Sequence, residues 1–265
     1  MIKLSLEKIR HGYILTKMVR ILERNKMRIQ RSKTNKLPKW VKIVIYLLLA
    51  IVIVRGELID VGFLPGSSNS EYSAVEEYAD KPYVEMNGNK PEFEDLSTKS
   101  FEEYSELDGL GRCGVAYACI GQDIMPTEER GAIGQVKPTG WHTIKYDIVD
   151  GKYLYNRCHL IGYQLAGENA NTKNLITGTR YLNVEGMLPF ENMVAEYVEE
   201  TGNHVMYRVT PHFEGTNLLA SGVQMEAYSV EDDGEGVCFN VYVYNAQPGI
   251  TIDYKNGDSR LTEND

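Results

Sequence analysis

The sequence predicts an α+β domain with a largely antiparallel central sheet and flanking helices, carried behind one N-terminal transmembrane helix. Three observations lead there. Charge is split along the 265 residues: residues 1–42 hold 13 Lys and Arg against 2 Asp and Glu, and residues 56–265 hold 14 against 35. An unbroken apolar run of 12 residues, 43–54, lies between the two parts. Within the acidic part, short β-patterned runs and one long helical pattern follow each other without the regular alternation of parallel βαβ units. A composition of 43% hydrophobic and 25% charged residues excludes a collagen-like or wholly disordered chain.

Counted back to Trp40, the apolar run has 15 residues, with Lys42 near its end, where a long side chain can snorkel. A full span takes about 20 apolar residues, so the length fits a short signal anchor or the core of a signal peptide. The long basic arm favours the anchor. So does Arg55-Gly56-Glu57-Leu58-Ile59-Asp60, which has no small-residue cleavage pattern. The positive-inside rule then puts residues 1–39 in the cytoplasm as a basic arm and the body outside the cell. Residues 40–55 are the anchor, and a cleaved segment would instead give a secreted body. Residues 56–81 read as an acidic linker containing Pro65-Gly66-Ser67-Ser68-Asn69-Ser70. An exported body permits disulfides. Cys113, Cys119, Cys158 and Cys238 allow three complete pairings, and free buried thiols fit equally well.

The folded domain is expected over residues 82–257, with 258–265 as a C-terminal tail. Tyr83-Val84-Glu85-Met86 reads as a strand stopped by Asn87-Gly88-Asn89. Tyr153-Leu154-Tyr155 reads as another after the Asp150-Gly151 turn. Residues 188–200 read as a helix, because Phe190, Val194, Tyr197 and Val198 fall on one face. Residues 204–210, 224–230 and 237–244 read as strands. The last alternates Phe239, Val241 and Val243 with Asn240, Tyr242 and Tyr244.

Histidine is scarce: His11, His142, His159, His204 and His212. His159 has the most suggestive setting, Tyr155-Asn156-Arg157-Cys158-His159, with a fixed cation two residues from a base of near-neutral pKa. Asn183 and Glu191 follow. Hydrolysis of a phosphodiester needs a base for water, a hard oxygen ligand for Mg²⁺ and a cation near the phosphate, and these residue types supply them. A hydrogen-bonded structural histidine is the competing interpretation.

Residues 155–165, Tyr-Asn-Arg-Cys-His-Leu-Ile-Gly-Tyr-Gln-Leu, together with Asn174-Leu-Ile-Thr-Gly-Thr at 174–179 and the pair Asn183 and Glu191, resemble the DNA/RNA non-specific endonuclease family. These are the ββα-metal nucleases. The likeness is to the membrane-anchored DNA-entry nucleases and secreted DNases of Gram-positive bacteria, and it covers roughly residues 82–257. Pro126-Thr127-Glu128-Glu129-Arg130-Gly131, Pro138-Thr139-Gly140-Trp141 and Gln247-Pro248-Gly249-Ile250 are similar to the same subgroup. Two positions depart from the family signature D-R-G-H: Asn156 stands for Asp and Cys158 for Gly. The cysteine must point away from the site or join a disulfide. Pro189 is expected to kink the helix or start a new one, which leaves Glu185 as a rival to Glu191.

The resemblance implies hydrolysis with one Mg²⁺, with Mn²⁺ as a substitute. It implies His159 as general base, Asn183 as metal ligand, Glu191 as the carboxylate on the metal side and Arg157 as stabiliser of the crowded phosphorus. DNA, and RNA with it, are the implied partners besides the membrane, and no protein partner is implied. The charge map agrees. Residues 112–180 hold 8 Lys and Arg against 6 Asp and Glu, whereas 181–265 hold 3 against 15. Arg130 and Arg180 lead the candidate phosphate contacts, with Arg112, Lys137, Lys145 and Lys173 behind them. The departures at Asn156 and Cys158 motivate the alternative, a catalytically weak or inactive surface nucleic-acid-binding protein of the same fold. A strand-rich exported adhesion domain is the third.

Overall fold

The computed structural model describes residues 78–79 and 81–263. The basic arm, the anchor and most of the linker lie outside the described residues, and among those described no helix is long and apolar enough to cross a membrane. In chain order the elements are β1 (Tyr83–Glu85), β2 (Phe101–Tyr104), β3 (Ala116–Ile120), β4 (Tyr155–His159), the one-turn α1 (Tyr163–Ala166) and β5 (Leu175–Thr179). A π-helical segment (Leu182–Met187) then runs into α2 (Leu188–Thr201), followed by β6 (Val205–His212), β7 (Gly222–Ser229), β8 (Cys238–Tyr244), β9 (Ile250–Ile252) and β10 (Ser259–Leu261).

Six strands form the main sheet in the order β1-β8-β7-β6-β3-β2, with every pairing antiparallel. One face carries Ile120, Val209, Met225, Val241 and Val243. Against it pack Phe190, Val194 and Val198 of α2, together with Cys158, Leu160, Ile161 and Leu182 from the segments around β4 and β5. Val194 and Val198 are fully buried, each worth about 1.5–3 kcal/mol relative to exposure. The helix is therefore held by its apolar stripe, as its periodicity requires. A second cluster of Val149, Leu154, Tyr155, Leu219 and Ile250 anchors the loop before β4.

The α+β class and the antiparallel sheet match the sequence expectation. Some boundaries differ. The strand expected at 153–155 lies at Tyr155–His159, and Tyr153 makes only an isolated bridge to Lys145. The turn holds Gly151 and Lys152 at positive φ, 68° and 67°, so regular pairing starts only beyond it. β10 falls in the expected tail but pairs with β9, with Leu261 opposite Ile250. Tyr78, assigned to the linker, packs edge-on against Tyr244 with ring centroids 5.5 Å apart.

Candidate active site

β4 and β5 form a separate antiparallel pair with Arg157 opposite Thr177 and His159 opposite Leu175. Two buried amides fix it at its ends. At one end Asn174 accepts from the Ile161 N–H at 2.8 Å and donates to the Ile161 carbonyl at 2.9 Å. At the other, Asn245 accepts from the Thr179 N–H at 2.9 Å and donates to the carbonyls of Thr177 at 3.1 Å and Ala220 at 2.9 Å. A buried amide left unpaired costs about 1–3 kcal/mol, and both of these are paired through donor and acceptor, so the strand pair is rigidly seated. Asn245 was missed from sequence. Nothing near it marks a buried amide, and only its partners, 25 to 68 residues away, reveal the role.

His159 ends β4 and is 6% exposed. Its Nε2 lies 2.7 Å from the Asn169 carbonyl oxygen. A carbonyl only accepts, so Nε2 carries the proton and the neutral ring keeps its lone pair on Nδ1. The Arg130 Nη2 lies 3.3 Å from that Nδ1. Burial holds the His159 pKa below the ordinary imidazole value; the Asn169 carbonyl opposes this and the Arg130 charge adds to it. At neutral pH the ring is therefore unprotonated, as a general base must be.

An irregularity lies between the two helical candidates. The Leu188 N–H bonds to the Asn183 carbonyl, an i→i−5 bond, so the segment before α2 is one residue wider than an α-turn. In a straight α-helix, positions eight apart lie about 80° apart round the axis, whereas positions seven apart lie only about 20° apart. One inserted residue makes the Asn183–Glu191 spacing behave as seven. Two residues permit the wide turn. A Cβ on Gly186 would overlap the Val243 side chain, so only glycine lets the segment seat on β8. Pro189 sits in the first turn of α2, where its missing N–H is tolerated. The proline expected to kink or restart the helix thus marks a new helical register.

Glu191 is half-buried. Burial pushes its carboxyl up to about 7, with Arg130 pulling the other way. Its carboxylate rests on Gly162: a Cβ there would lie 2.8 Å from Cδ and Oε2 and 3.1 Å from Oε1. Glu185, the rival, is exposed. Asn183 lines a cavity of about 470 Å³ with Arg130, Asn156, Arg157, Arg180 and the aromatic rings of Trp141, Tyr153 and Tyr155. Among the described residues nothing hydrogen-bonds the Asn183 side chain.

The remaining sequence candidates are placed as follows. The Arg157 guanidinium donates to the Val136 carbonyl and, at 2.8 Å, to the Gly134 carbonyl, and it stacks 3.9 Å over Trp141. Much of its hydrogen-bonding capacity thus holds the 134–141 loop as a cavity wall. Arg180 lines the cavity while pairing with Asp150 at 2.9 Å. The Asn156 Nδ2 is buried without a partner. Cys158 points into the core, where Gly178 leaves room for its sulfur, and all four cysteines are free. Arg112 is tied to Asp108 at 2.7 Å and to two carbonyls, Lys173 pairs with Glu106, and Lys137 lines a different cavity. His142 meets the Asn256 carbonyl at 3.0 Å, His204 pairs with Glu231 at 2.6 Å, and His212 packs on Tyr242. His11 lies outside the described residues. Among the described residues, His159 is the histidine in contact with the cavity-lining Arg130.

Two antiparallel strands followed by a helical segment, with a buried neutral imidazole on the first strand and an amide and a carboxylate on the helix, are the arrangement that the ββα-metal resemblance implies. The chain belongs to the DNA/RNA non-specific endonuclease family, which matches residues 94–231. A deoxyribonuclease of Streptococcus dysgalactiae subsp. equisimilis is 34% identical over 116 residues, which is 42% of this chain and 34% of the relative. The match thus spans about a third of that curated protein's length. The structure of NucA from Streptococcus agalactiae with a magnesium ion bound superimposes with a TM-score of 0.62 at 26% identity, covering 70% of this chain and 90% of NucA. Sda1 nuclease with a bound zinc ion gives 0.54 at 31% identity, covering 62% and 81%.

Among the described residues no group of three or more His, Cys, Asp and Glu side chains could hold a metal. The donors at hand are the unpartnered Asn183 amide and the Glu191 carboxylate. A sparse, all-oxygen set suits a hard divalent ion that keeps most of its water, and it lacks the nitrogen and sulfur ligands of a structural zinc site.

Proposed function

We propose that this chain is a divalent-metal-dependent, sequence-non-specific endonuclease that hydrolyses phosphodiester bonds of DNA and RNA outside the cell. The observation that carries the proposal is the proton inventory of His159: Nε2–H is committed to a carbonyl, and the Nδ1 lone pair faces the cavity-lining Arg130. Mg²⁺, or Mn²⁺ in its place, held through Asn183 with Glu191 on the same face, would supply Lewis-acid stabilisation to the phosphate and to the leaving O3′.

The protein's own groups do the rest. His159 Nδ1 takes the proton of the attacking water once Arg130 swings from Nδ1 to a phosphate oxygen. Arg130 then faces the charge that develops on phosphorus, the electrostatic stabilisation that is worth most in a partly water-excluded site. Arg157 holds the wall and presents its remaining N–H groups, and Arg180 meets a neighbouring phosphate. Contacts of this kind go to phosphate and not to base edges, which makes cutting indifferent to sequence. Breakage of the bond to O3′ leaves 5′-phosphate ends.

The chain is further proposed to stay attached to the cell membrane through residues 40–55, with residues 82–257 outside. The basic arm of residues 1–39 resists translocation, and the linker gives long substrates access.

Incubating the purified protein with plasmid and with RNA, in Mg²⁺, Mn²⁺ or EDTA, tests the activity. Cleavage of both substrates in either metal and none in EDTA is expected, and plasmid left intact in both metals would sink the enzyme proposal. Cell fractionation tests the topology: a full-length protein in the membrane fraction, with its body digestible by added protease, is expected. A shorter species in the medium would mean a secreted form.

A further inference from the structure

Three aromatic residues line the cavity, each in a different setting. Arg157 stacks at 3.9 Å over Trp141. Tyr155 is 3% exposed and its hydroxyl donates to the Gly257 carbonyl at 3.0 Å. Tyr153 is different: it is 46% exposed while lining the same cavity as Arg130 and Asn183. An exposed tyrosine on a mobile loop would mean little, but this one is fixed on both sides. The Tyr146 N–H donates to the Lys152 carbonyl at 2.9 Å, the Leu154 N–H donates to the Ile144 carbonyl at 3.0 Å, and the Leu154 side chain is fully buried. The Lys145 ammonium lies 4.4 Å from the Tyr153 ring centroid, so one face of the ring carries a cation.

From this we infer that Tyr153 is a base-stacking platform, and that the site prefers strands whose bases are free to leave the stack: single-stranded DNA and RNA. The inference rests on the nuclease reading and adds the form of the substrate. A phosphate near Arg130 and Asn183 puts its own nucleoside or the next one against the cavity wall. Lys145 and Arg180 then flank the platform as cations for adjoining phosphates. Stacking on an aromatic ring tolerates any base, so the platform leaves cutting sequence-blind. A duplex must unpair and unstack a base to use it, at a cost of a few kcal/mol, whereas a single strand offers one directly.

The test compares wild type, Tyr153→Ala and Tyr153→Phe on single-stranded and duplex oligonucleotides of one sequence with Mg²⁺. Wild type should show a lower KM for the single strand. Tyr153→Ala should raise that KM about 5- to 150-fold, the range that stacking energies per base imply, and erase the preference, and Tyr153→Phe should keep it. A second measurement needs no activity: in EDTA, a 2-aminopurine oligonucleotide should lose fluorescence on binding to wild type and Tyr153→Phe but not to Tyr153→Ala. Cleavage by all three proteins with equal KM ratios, or equal quenching by all three, overturns the platform and leaves the nuclease proposal standing. Quenching by wild type and Tyr153→Phe without any cleavage by wild type would refute the nuclease proposal while keeping the platform.

Discussion

Gly162→Ala separates the stability of this protein from its chemistry. Gly162 has φ −56° and ψ 145°, an extended conformation open to alanine. The backbone effect alone should therefore stabilise the fold by about 0.4–1 kcal/mol. The new methyl would meet the Glu191 carboxylate at 2.8 Å from Cδ and Oε2. Comfortable contact is about 3.5–4.0 Å, so the carboxylate must retreat by roughly 0.7 Å or more. It is the tip of a flexible side chain, and the retreat takes little from stability. Groups that orient a metal site typically cost about 10- to 100-fold in affinity or activity when disturbed. The expected result is an unchanged or higher denaturation midpoint, with plasmid cleavage down about 10- to 100-fold and more Mg²⁺ needed for half-maximal rate. In a double-mutant cycle, Glu191→Gln should make the Gly162 substitution nearly silent. Cleavage within about twofold of wild type at every Mg²⁺ concentration would refute the role given to Glu191 and turn attention to Glu185.

Three further outcomes follow from the geometry. His159→Ala should lower cleavage by about 10²- to 10⁴-fold while the protein still melts cooperatively. Because the native His159 pKa lies below that of the unfolded chain, protonation of the base itself should cut the rate only below about pH 6.5, whereas protonation of the Glu191 carboxyl, pushed up to about 7, should begin to cut it near neutrality. By the same linkage, stability present above about pH 6.5 should be lost as pH falls towards the native value, and less of it lost in His159→Ala, as thermal melts across pH would record. Asn183→Asp should retain more activity than Asn183→Ala, and raised Mg²⁺ should rescue the aspartate only, since alanine offers a hard cation no oxygen; equal loss in both would make Asn183 structural. Gly186→Ala should cost about 1–3 kcal/mol of stability by overpacking against Val243, with Val243→Ala restoring activity to the double mutant; failure of that rescue in denaturation and cleavage assays would mean that the π-turn does not align the site.

The parts of this fold that bury one apolar face were legible in the sequence. α2, β6, β7 and β8 carry helical or strand-like patterns because each lays its residues against one core. β3 and β4 were not legible as strands. Ala116-Tyr-Ala-Cys-Ile has weak β-propensity and is a strand because β2 and β6 flank it. Tyr155-Asn-Arg-Cys-His is largely polar and is a strand because β5 pairs with it. Residue type and the family likeness single out His159, Asn183 and Glu191 as candidates, and the structure sets the first against the cavity-lining Arg130 and the second on the cavity wall. What stayed hidden were long-range acts of positioning: Asn169 choosing the His159 tautomer, Asn245 tying three segments together, and Gly162 making room for a carboxylate. Pro189 argued against one regular helix through Asn183 and Glu191, and one helix there is not regular. The i→i−5 turn that accommodates the proline also brings the spacing of the two residues closer to two full turns.

The acidic composition limits how such a site can work. Among the other cations, Arg112 is spent on Asp108 and nearby carbonyls, Lys173 on Glu106 and Arg208 on the buried Glu226. Arg130, Arg157 and Arg180 remain on the cavity wall, and even there Arg180 shares Asp150 and Arg157 holds two carbonyls. If phosphate contacts are confined to these three and the flanking Lys145, few phosphates are neutralised at once, and the salt dependence of binding should be shallow, since that slope scales with the number of phosphates contacted. A protein that cannot rely on bulk electrostatic attraction must gain its rate from placement. The buried amides beneath the β4–β5 pair, the carbonyl that sets the imidazole tautomer and the wide turn before α2 are all devices of placement. Each fixes an atom in advance of the reaction, where preorganised charge needs no rearrangement as the bond breaks.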